Sequence, residues 1–266
     1  MGPLRVLRSG IRLARRVEAL ASASMIRTPL RFLAYGFLVR NRRLAVAIER
    51  LGTASAYEGR MLLRSMLEIM INHAWIRLRQ KHSRSLRFVA YQPLELLRVH
   101  ASMQASMSPA DYERARRNLE RQRRAVRHLF RLRDRNGKMQ WARSWAAVSS
   151  VEGRIQEVKS SETPGQPDPF LYAMYSWISS AVHGGPNSLL KEVFDRRAGV
   201  LVAKRQPERD PSAQFAAAAA ILSYTINAAA EDLRIKKIIG SDAAKYTVAV
   251  QKLRGRKRGP AGKPAS

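Results

Sequence analysis

The chain of 266 residues contains no cysteine. That excludes disulfides, thiolate metal sites and cysteine nucleophiles, and it fits a reducing, cytoplasmic compartment. Acidic side chains are scarce: 20 Asp and Glu stand against 49 Lys and Arg, a formal net charge of +29. No apolar run reaches the roughly eighteen residues of a membrane-crossing helix, so none is expected. The chain has no P-loop, no dinucleotide-binding glycine fingerprint and no Gly-x-Ser-x-Gly elbow. Its histidines (His73, His82, His100, His128 and His183) are dispersed, without His-x-x-x-His or His-x-x-Glu spacing. Neither a metal nor a cofactor is expected from that pattern.

What is abundant is arginine, alanine and leucine, with 45% hydrophobic residues, enough for a packed core. Valine, isoleucine and threonine are sparse beside them, which favours helix over sheet. The expected fold is all-α, an irregular bundle of about seven helices. The expected organisation is one domain over 41–253, a basic amphipathic extension over 1–40 and a disordered basic tail over 254–266.

A positive field of this size attracts polyanions: RNA, DNA or an anionic membrane surface. The plain alternative is a coding bias towards arginine, with guanidinium groups scattered over solvated helix faces. Residues 1–43 hold a single acid, Glu18. Leu4, Leu7, Ile11 and Ala14 recur there at helical spacing, with Arg5, Arg8, Arg12, Arg15 and Arg16 between them. This reads as a basic amphipathic helix. A flexible or surface-bound extension is the favoured reading, with residues 1–24 touching an anionic membrane. A cleaved targeting peptide, or a start at Met25, are the alternatives.

Further on, helical patterns are expected over 41–81, with breaks at Gly52 and Gly59, and over 85–107. Ser108-Pro109-Ala110-Asp111 is a strong helix start, since serine caps, proline fits the first turn and aspartate faces the positive dipole end. That helix is expected to run to Asn136-Gly137, and another over 141–159. Residues 160–169 read as a loop. A helix over 170–183 ends at Gly184-Gly185-Pro186, and a short one follows from Asn187 or Ser188. "AGVLVA" (198–203) has strand composition but no visible partner. A long alanine-rich helix starts at Asp210-Pro211 and is expected to end at Gly240, with a last helix over 242–253.

Two polar stripes carry the candidate chemistry. On the helix over 170–183, Tyr175, Ser179 and His183 stand at i, i+4 and i+8 within an uncharged hydroxyl face. Inside an otherwise apolar helix over 57–78, Arg64, Glu68 and Asn72 have the same spacing. Arg64 and Glu68 are placed to pair with each other, and the hydroxyl stripe could satisfy what remains. "LLRSMLE" (62–68) followed by "YSWISSAVHGG" (175–185) resembles a widespread bacterial family of uncharacterised helical proteins, catalogued as a domain of unknown function. Its pattern is an Arg-x-x-x-Glu helix followed by Tyr-x-x-x-Ser-x-x-x-His. The resemblance covers roughly residues 44–195 and implies an all-helical fold with a shared polar cluster at Arg64, Glu68, Tyr175, Ser179 and His183.

A more distant resemblance is to the HEPN superfamily of helical ribonucleases and nucleotide-binding proteins. Those enzymes place an arginine four to six residues before a histidine on one helix. Trp177, Ile178 and Ser179 occupy the corresponding positions before His183, so this chain departs from that pattern. In a metal-independent ribonuclease, His183 would serve as acid or base and Arg64 would stabilise phosphate. The structural alternative is that His183 closes its helix against the free carbonyls.

The helix from Ser108 carries Arg117, Arg121, Arg124 and His128 in line, a spacing able to track a phosphate backbone. It lacks aromatics of its own for stacking. The leading expectation is a module that binds nucleic acid or a partner protein. A second copy of the chain is a further candidate partner.

Overall fold

The computed structural model describes residues 1–52, 56–133, 136–142, 144–146, 150–160, 175, 194–197, 200–203 and 211–255. These residues form an all-α, irregular helical bundle with two short hairpins. In chain order the helices are α1 (Pro3–Leu20), α2 (Pro29–Leu51), α3 (Ala56–Leu78), α4 (Lys81–Ala90), α5 (Gln92–Ser102), α6 (Pro109–Ala125), α7 (Arg127–Phe130), α8 (Val151–Lys159), α9 (Ser212–Asp232) and α10 (Lys236–Gly255). Strands β1 (Arg131–Arg133) and β2 (Met139–Trp141) pair antiparallel, as do β3 (Phe194–Arg197) and β4 (Val200–Ala203). The chain divides into two compact units, Met1–Ala74 with Glu162–Ser266, and Trp75–Ser161.

The first unit packs α1, α2 and α10 around α9. Alanines 217–220 and 228–230 of α9 are all buried, and such short side chains let neighbouring helices approach closely. By length and apolar composition α9 would suffice to cross a bilayer, a test that core helices also pass. Here 78% of its most apolar window is buried inside the protein.

Residues 1–40 are not an extension but part of this core. Val6, Leu7, Ile11, Ala14 and Val17 of α1 are each at most 4% exposed, while Arg5, Arg8, Arg12, Arg15 and Arg16 face outward. Arg8 pairs with Glu49 at 2.7 Å, Arg16 with Asp242, and Glu18 with Arg42 at 2.5 Å. The pairs of Arg8 and Arg16 are solvent-exposed and add at most about 1 kcal/mol each, while Glu18–Arg42 is largely enclosed. Burying one large aliphatic side chain is worth about 1.5–3 kcal/mol, so apolar packing is what holds α1 in place.

The tightest approach in this unit is at Gly10. A Cβ there would overlap the hydroxyl and Cζ of Tyr246, whose ring crosses α1 at that point. The Tyr246 hydroxyl donates to the Ala219 carbonyl at 2.9 Å, and burial raises its pKa. The phenol thereby links α10 to α9 beneath α1. Between α2 and α9, fully buried Asn41 donates through Nδ2 to Thr225 Oγ1 at 3.0 Å, and Thr225 in turn donates to the Ile221 carbonyl at 2.8 Å.

The second unit has an aromatic core. Trp145 meets Trp75 and Phe88 edge-on, with ring centroids 5.2 and 4.7 Å away, and Tyr91 meets Phe130 at 5.3 Å. His100 of α5 stacks on Tyr112 of α6 at 4.2 Å, fixing one face of α6 against α5.

Several helix boundaries differ from the sequence reading. The helix expected over 85–107 splits into α4 and α5 around Tyr91, with Pro93 in the first turn of α5, where a missing amide costs nothing. The helix from Ser108 stops at Ala125, and Gly137 (φ +75°) serves the β1–β2 connection rather than a helix end. Residues 141–149 are not helical where described; α8 starts after Ser150, whose side chain accepts from the Gly153 amide at 3.0 Å. Gly240 lies inside α10. The break comes earlier, where Arg234 (φ +62°) takes the left-handed position and the Ile235 amide reaches the Ala230 carbonyl at 2.9 Å. This is a Schellman ending with arginine in place of the usual glycine. Within the run at 198–203, Val200–Ala203 does have a partner strand, Phe194–Arg197. The expected helix over 170–183, the short helix after it and the tail from 256 fall outside the described residues, Tyr175 excepted.

The close approach at Gly10 makes a direct prediction. Gly10→Ala should lower unfolding stability by about 2–3 kcal/mol through overpacking against Tyr246. Tyr246→Phe, which keeps the ring and removes the hydrogen bond, should cost only about 1 kcal/mol. Denaturant unfolding of both variants checks the order; a neutral Gly10→Ala would refute the overlap.

Candidate nucleic-acid interface

Helix α6 begins at Ser108, whose hydroxyl accepts from the Asp111 amide at 3.2 Å and donates to the Asp111 carboxylate at 2.7 Å. None of its residues is buried. Tyr112, Ala115, Leu119 and Arg123 are half-exposed and share an inner arc on a wheel of 100° per residue. Arg114, Arg117, Arg121 and Arg124 fall in the opposite arc, about 80° wide, and all four are exposed. The α6 acids Asp111, Glu113 and Glu120 lie outside that arc. They hold the flanking positions, where Arg116 sits 3.3 Å from both Glu113 and Glu120. Asp111 comes only within 3.9 Å of Arg114. Among the described residues, Arg117, Arg121 and Arg124 have no ion-pair or hydrogen-bond partner.

The result is a row about 15 Å long, from Arg114 to Arg124 at 1.5 Å per residue, that presents only guanidinium groups. His128 is exposed but belongs to α7, beyond the break at Val126, so α6 itself does not extend the row to it.

An aromatic is nevertheless close by, supplied by the hairpin. Trp141 on β2 is half-buried; the Arg123 guanidinium lies 4.9 Å from its ring centroid and that of Arg131 lies 5.6 Å away. Reading the segment as continuous helix concealed this. The signal was Asn136-Gly137 between two short runs, a common hairpin signature.

Elsewhere arginine is used structurally. Arg84 stacks 3.5 Å from the Trp75 ring centroid, donates to the Trp75 carbonyl at 2.6 Å and reaches Glu157 at 3.3 Å. Glu157 also accepts from the Trp75 indole at 2.8 Å. Burial lowers the Arg84 pKa, with Glu157 opposing that shift. Arg87 lies over Phe130, Arg98 over Tyr91 and Arg154 over Trp145, at 5.2, 5.6 and 5.4 Å.

Of the α3 stripe, Arg64 is brought to Tyr175, its guanidinium carbon 5.8 Å from the ring centroid. Arg64 and Glu68 do not pair with each other as their spacing suggested. Among the described residues no ion pair joins them, and Arg64 Nε is buried without a hydrogen-bond partner. Glu68 and Asn72 are half-buried rather than enclosed, because one line of α3 lies at the edge of its apolar face. Ser179 and His183 lie outside the described residues.

One histidine pairing was not foreseen. His73 Nε2 is 3.2 Å from Asp232 Oδ2, with side chains 1% and 4% exposed, and the Phe37 and Tyr224 rings lie 5.3 and 6.0 Å from the imidazole. Such a pair has the elements of a general base, but its burial closes it to substrate, so it locks α3 to α9. Among the described residues no three metal-ligating side chains converge. A separate open groove of about 540 Å³ has Arg42, Arg43 and Arg50 over Val46, Ala47, Leu51 and Leu62. Glu18 already holds Arg42 there.

One protein family matches the chain, over residues 31–199, which is more than half of its length. The chain belongs to the family of unknown function DUF5677. The matched span starts earlier than the roughly 44–195 suggested by the motifs, taking in α2 from near its start, and it includes α6 and the β1–β2 hairpin. No curated protein and no solved structure matches the chain.

The two uses of arginine are separable by substitution. Arg84→Lys should lower stability by about 1–2 kcal/mol, because an ammonium cannot stack flat on Trp75 while reaching its carbonyl and Glu157. Arg121→Lys should stay within about 0.5 kcal/mol of the parent, as an exposed site with no partner. Equal effects in thermal or urea unfolding would contradict the division.

Proposed function

We propose that the chain is a nucleic-acid-binding module whose binding surface is the outer face of α6. The observation that carries this reading is the uninterrupted guanidinium arc of Arg114, Arg117, Arg121 and Arg124, with its acids confined to other faces. An exposed arginine with no carboxylate partner is free to form bidentate bonds to phosphate oxygens. A row of them on a rigid helix matches a linear polyanion better than a compact ligand.

A membrane surface fits less well. The apolar face that α1 would need for insertion is buried in the core, and the basic arc of α6 has no apolar residue to insert.

The test is the salt dependence of oligonucleotide binding by fluorescence anisotropy. Each phosphate neutralised by the protein adds about 0.7–0.9 to the steepness of log K against log salt. The variant carrying Arg117→Gln, Arg121→Gln and Arg124→Gln should therefore be shallower by about 2–3 units of slope, with its melting temperature unchanged. The matched control removes the same charge from α1 by Arg5→Gln, Arg12→Gln and Arg15→Gln and should barely change the slope. Equal reductions in both variants would reduce the binding to undirected charge attraction and overturn the reading.

A further inference from the structure

We infer that the hairpin beside α6 accepts an unpaired base, so that the polymer bound is single-stranded. This inference rests on the reading of α6 as a nucleic-acid surface.

Arg131 and Trp141 are direct cross-strand partners, as are Arg133 and Met139; the intervening pair, Leu132 and Gln140, points to the other face. Arg131, Arg133, Met139 and Trp141 thus share one face of the hairpin, and Arg123 reaches Trp141 from α6. Arg133 is exposed, Met139 is 38% exposed, and Trp141 is half-buried.

Among the described residues no carboxylate neutralises this patch. Among the described residues, Arg123, Arg131 and Arg133 have no ion-pair partner, and the Nε atoms of Arg123 and Arg131 are buried without a hydrogen bond. Two guanidinium groups within 6 Å of one indole, neither matched by an acid among the described residues, make a patch that is both aromatic and positive. A nucleotide supplies the complement of both properties, a planar base for the stack and a phosphate for the charge. A partner offering carboxylates alone would leave the indole unused.

The duplex is disfavoured on the same ground. Paired bases present their faces to each other, and only their edges and phosphates are accessible in the grooves. Arg123 meets Trp141 from the inner arc, so a strand whose phosphates lie along the outer arc must turn past the Arg124 end of α6 to set a base on Trp141, a turn that an unpaired strand makes and a stiff duplex does not. Met139, flexible and polarizable, tolerates any base beside it, which predicts little sequence preference.

The experiment compares an oligouridylate of about 16 nucleotides with a duplex of equal length, using the full chain. Trp141→Leu should weaken oligouridylate binding roughly five- to a hundred-fold and leave duplex binding unchanged. Trp141→Phe keeps a stacking ring and should restore most of the affinity. In the parent protein, oligouridylate should quench tryptophan fluorescence, and Trp141→Phe should remove that quenching while keeping the fold. Equal weakening on both nucleic acids by Trp141→Leu, or quenching undiminished in Trp141→Phe, would overturn the inference and leave Trp141 as a pin between hairpin and helix. The α6 variant separates the two readings. If it weakens both nucleic acids while the Trp141 variants weaken neither, the base site falls and the α6 surface stands. If it weakens neither, the α6 surface falls and this inference falls with it.

Discussion

Too few carboxylates exist to neutralise the guanidinium groups. With 20 Asp and Glu for 49 Lys and Arg, most cations cannot have an acid of their own. A compact fold carrying that excess repels itself unless the charges are spread through solvent or matched some other way. Aromatic faces provide the other way. Arg84 on Trp75, Arg87 on Phe130, Arg98 on Tyr91 and Arg154 on Trp145 all set a delocalised, weakly hydrated cation against a ring quadrupole. Lysine would serve poorly there, since its compact ammonium is strongly hydrated and cannot lie flat. The dominance of arginine over lysine is therefore partly a packing requirement, not only a feature of charge.

The first unit meets the same constraint differently. Its centre, α9, is nearly uncharged and built from alanine, so α1, α2 and α10 come close enough to bury their apolar stripes. The arginines of α1 are thereby turned outward, and the few acids available are placed where helices meet. Glu18 meets Arg42, Glu49 meets Arg8 and Asp242 meets Arg16. The exposed pairs of Arg8 and Arg16 fix register more than they stabilise, because exposed pairs are weak and the buried aliphatic face of α1 is not; Glu18–Arg42 is largely enclosed. Gly10 is where close approach is strictest, with Tyr246 filling the space a side chain would take.

Helical class, the cap at Ser108 and the break at Gly52 were legible in the sequence because they follow from local chemistry, whereas Gly59, also read as a break, lies inside α3, and Gly137 ends no helix. The core role of α1 was not. An amphipathic helix of arginine and leucine looks the same whether its apolar face meets a membrane or a helix far along the chain, and α9 lies some 200 residues on. Arg234 illustrates another limit. Glycine is the usual left-handed terminator, so a helix end at arginine gave no signal, and Gly240 was a false one. The Arg64–Glu68 spacing permits a pair, yet a nearby ring, Tyr175, took the arginine instead. For α6 the basic row was readable from periodicity. Its association with Trp141 was not, because it depends on a hairpin of three-residue strands.

Net charge therefore overstates the charge available to a ligand. Arginines stacked on rings in the second unit are desolvated on one side and held by their neighbours, so they can contribute field but not new bonds. On the outer arc of α6, Arg117, Arg121 and Arg124 have neither ring nor acid among the described residues and keep their full donor set, while Arg114 is loosely paired with Asp111 at 3.9 Å. A phosphate approaching that arc displaces only water. A phosphate approaching Arg84 would have to compete with Trp75 and Glu157. Arg123 and Arg131 fall between these cases, held by one ring yet, among the described residues, unmatched by an acid. Arg87 also lies on a ring without an ion pair among the described residues, but it donates to the Trp145 carbonyl at 3.4 Å; the hairpin face differs in setting two guanidinium groups against one half-buried indole. A group engaged only by a π-face still has charge to offer, so a ligand that brings both a planar ring and an anion gains from the two at once.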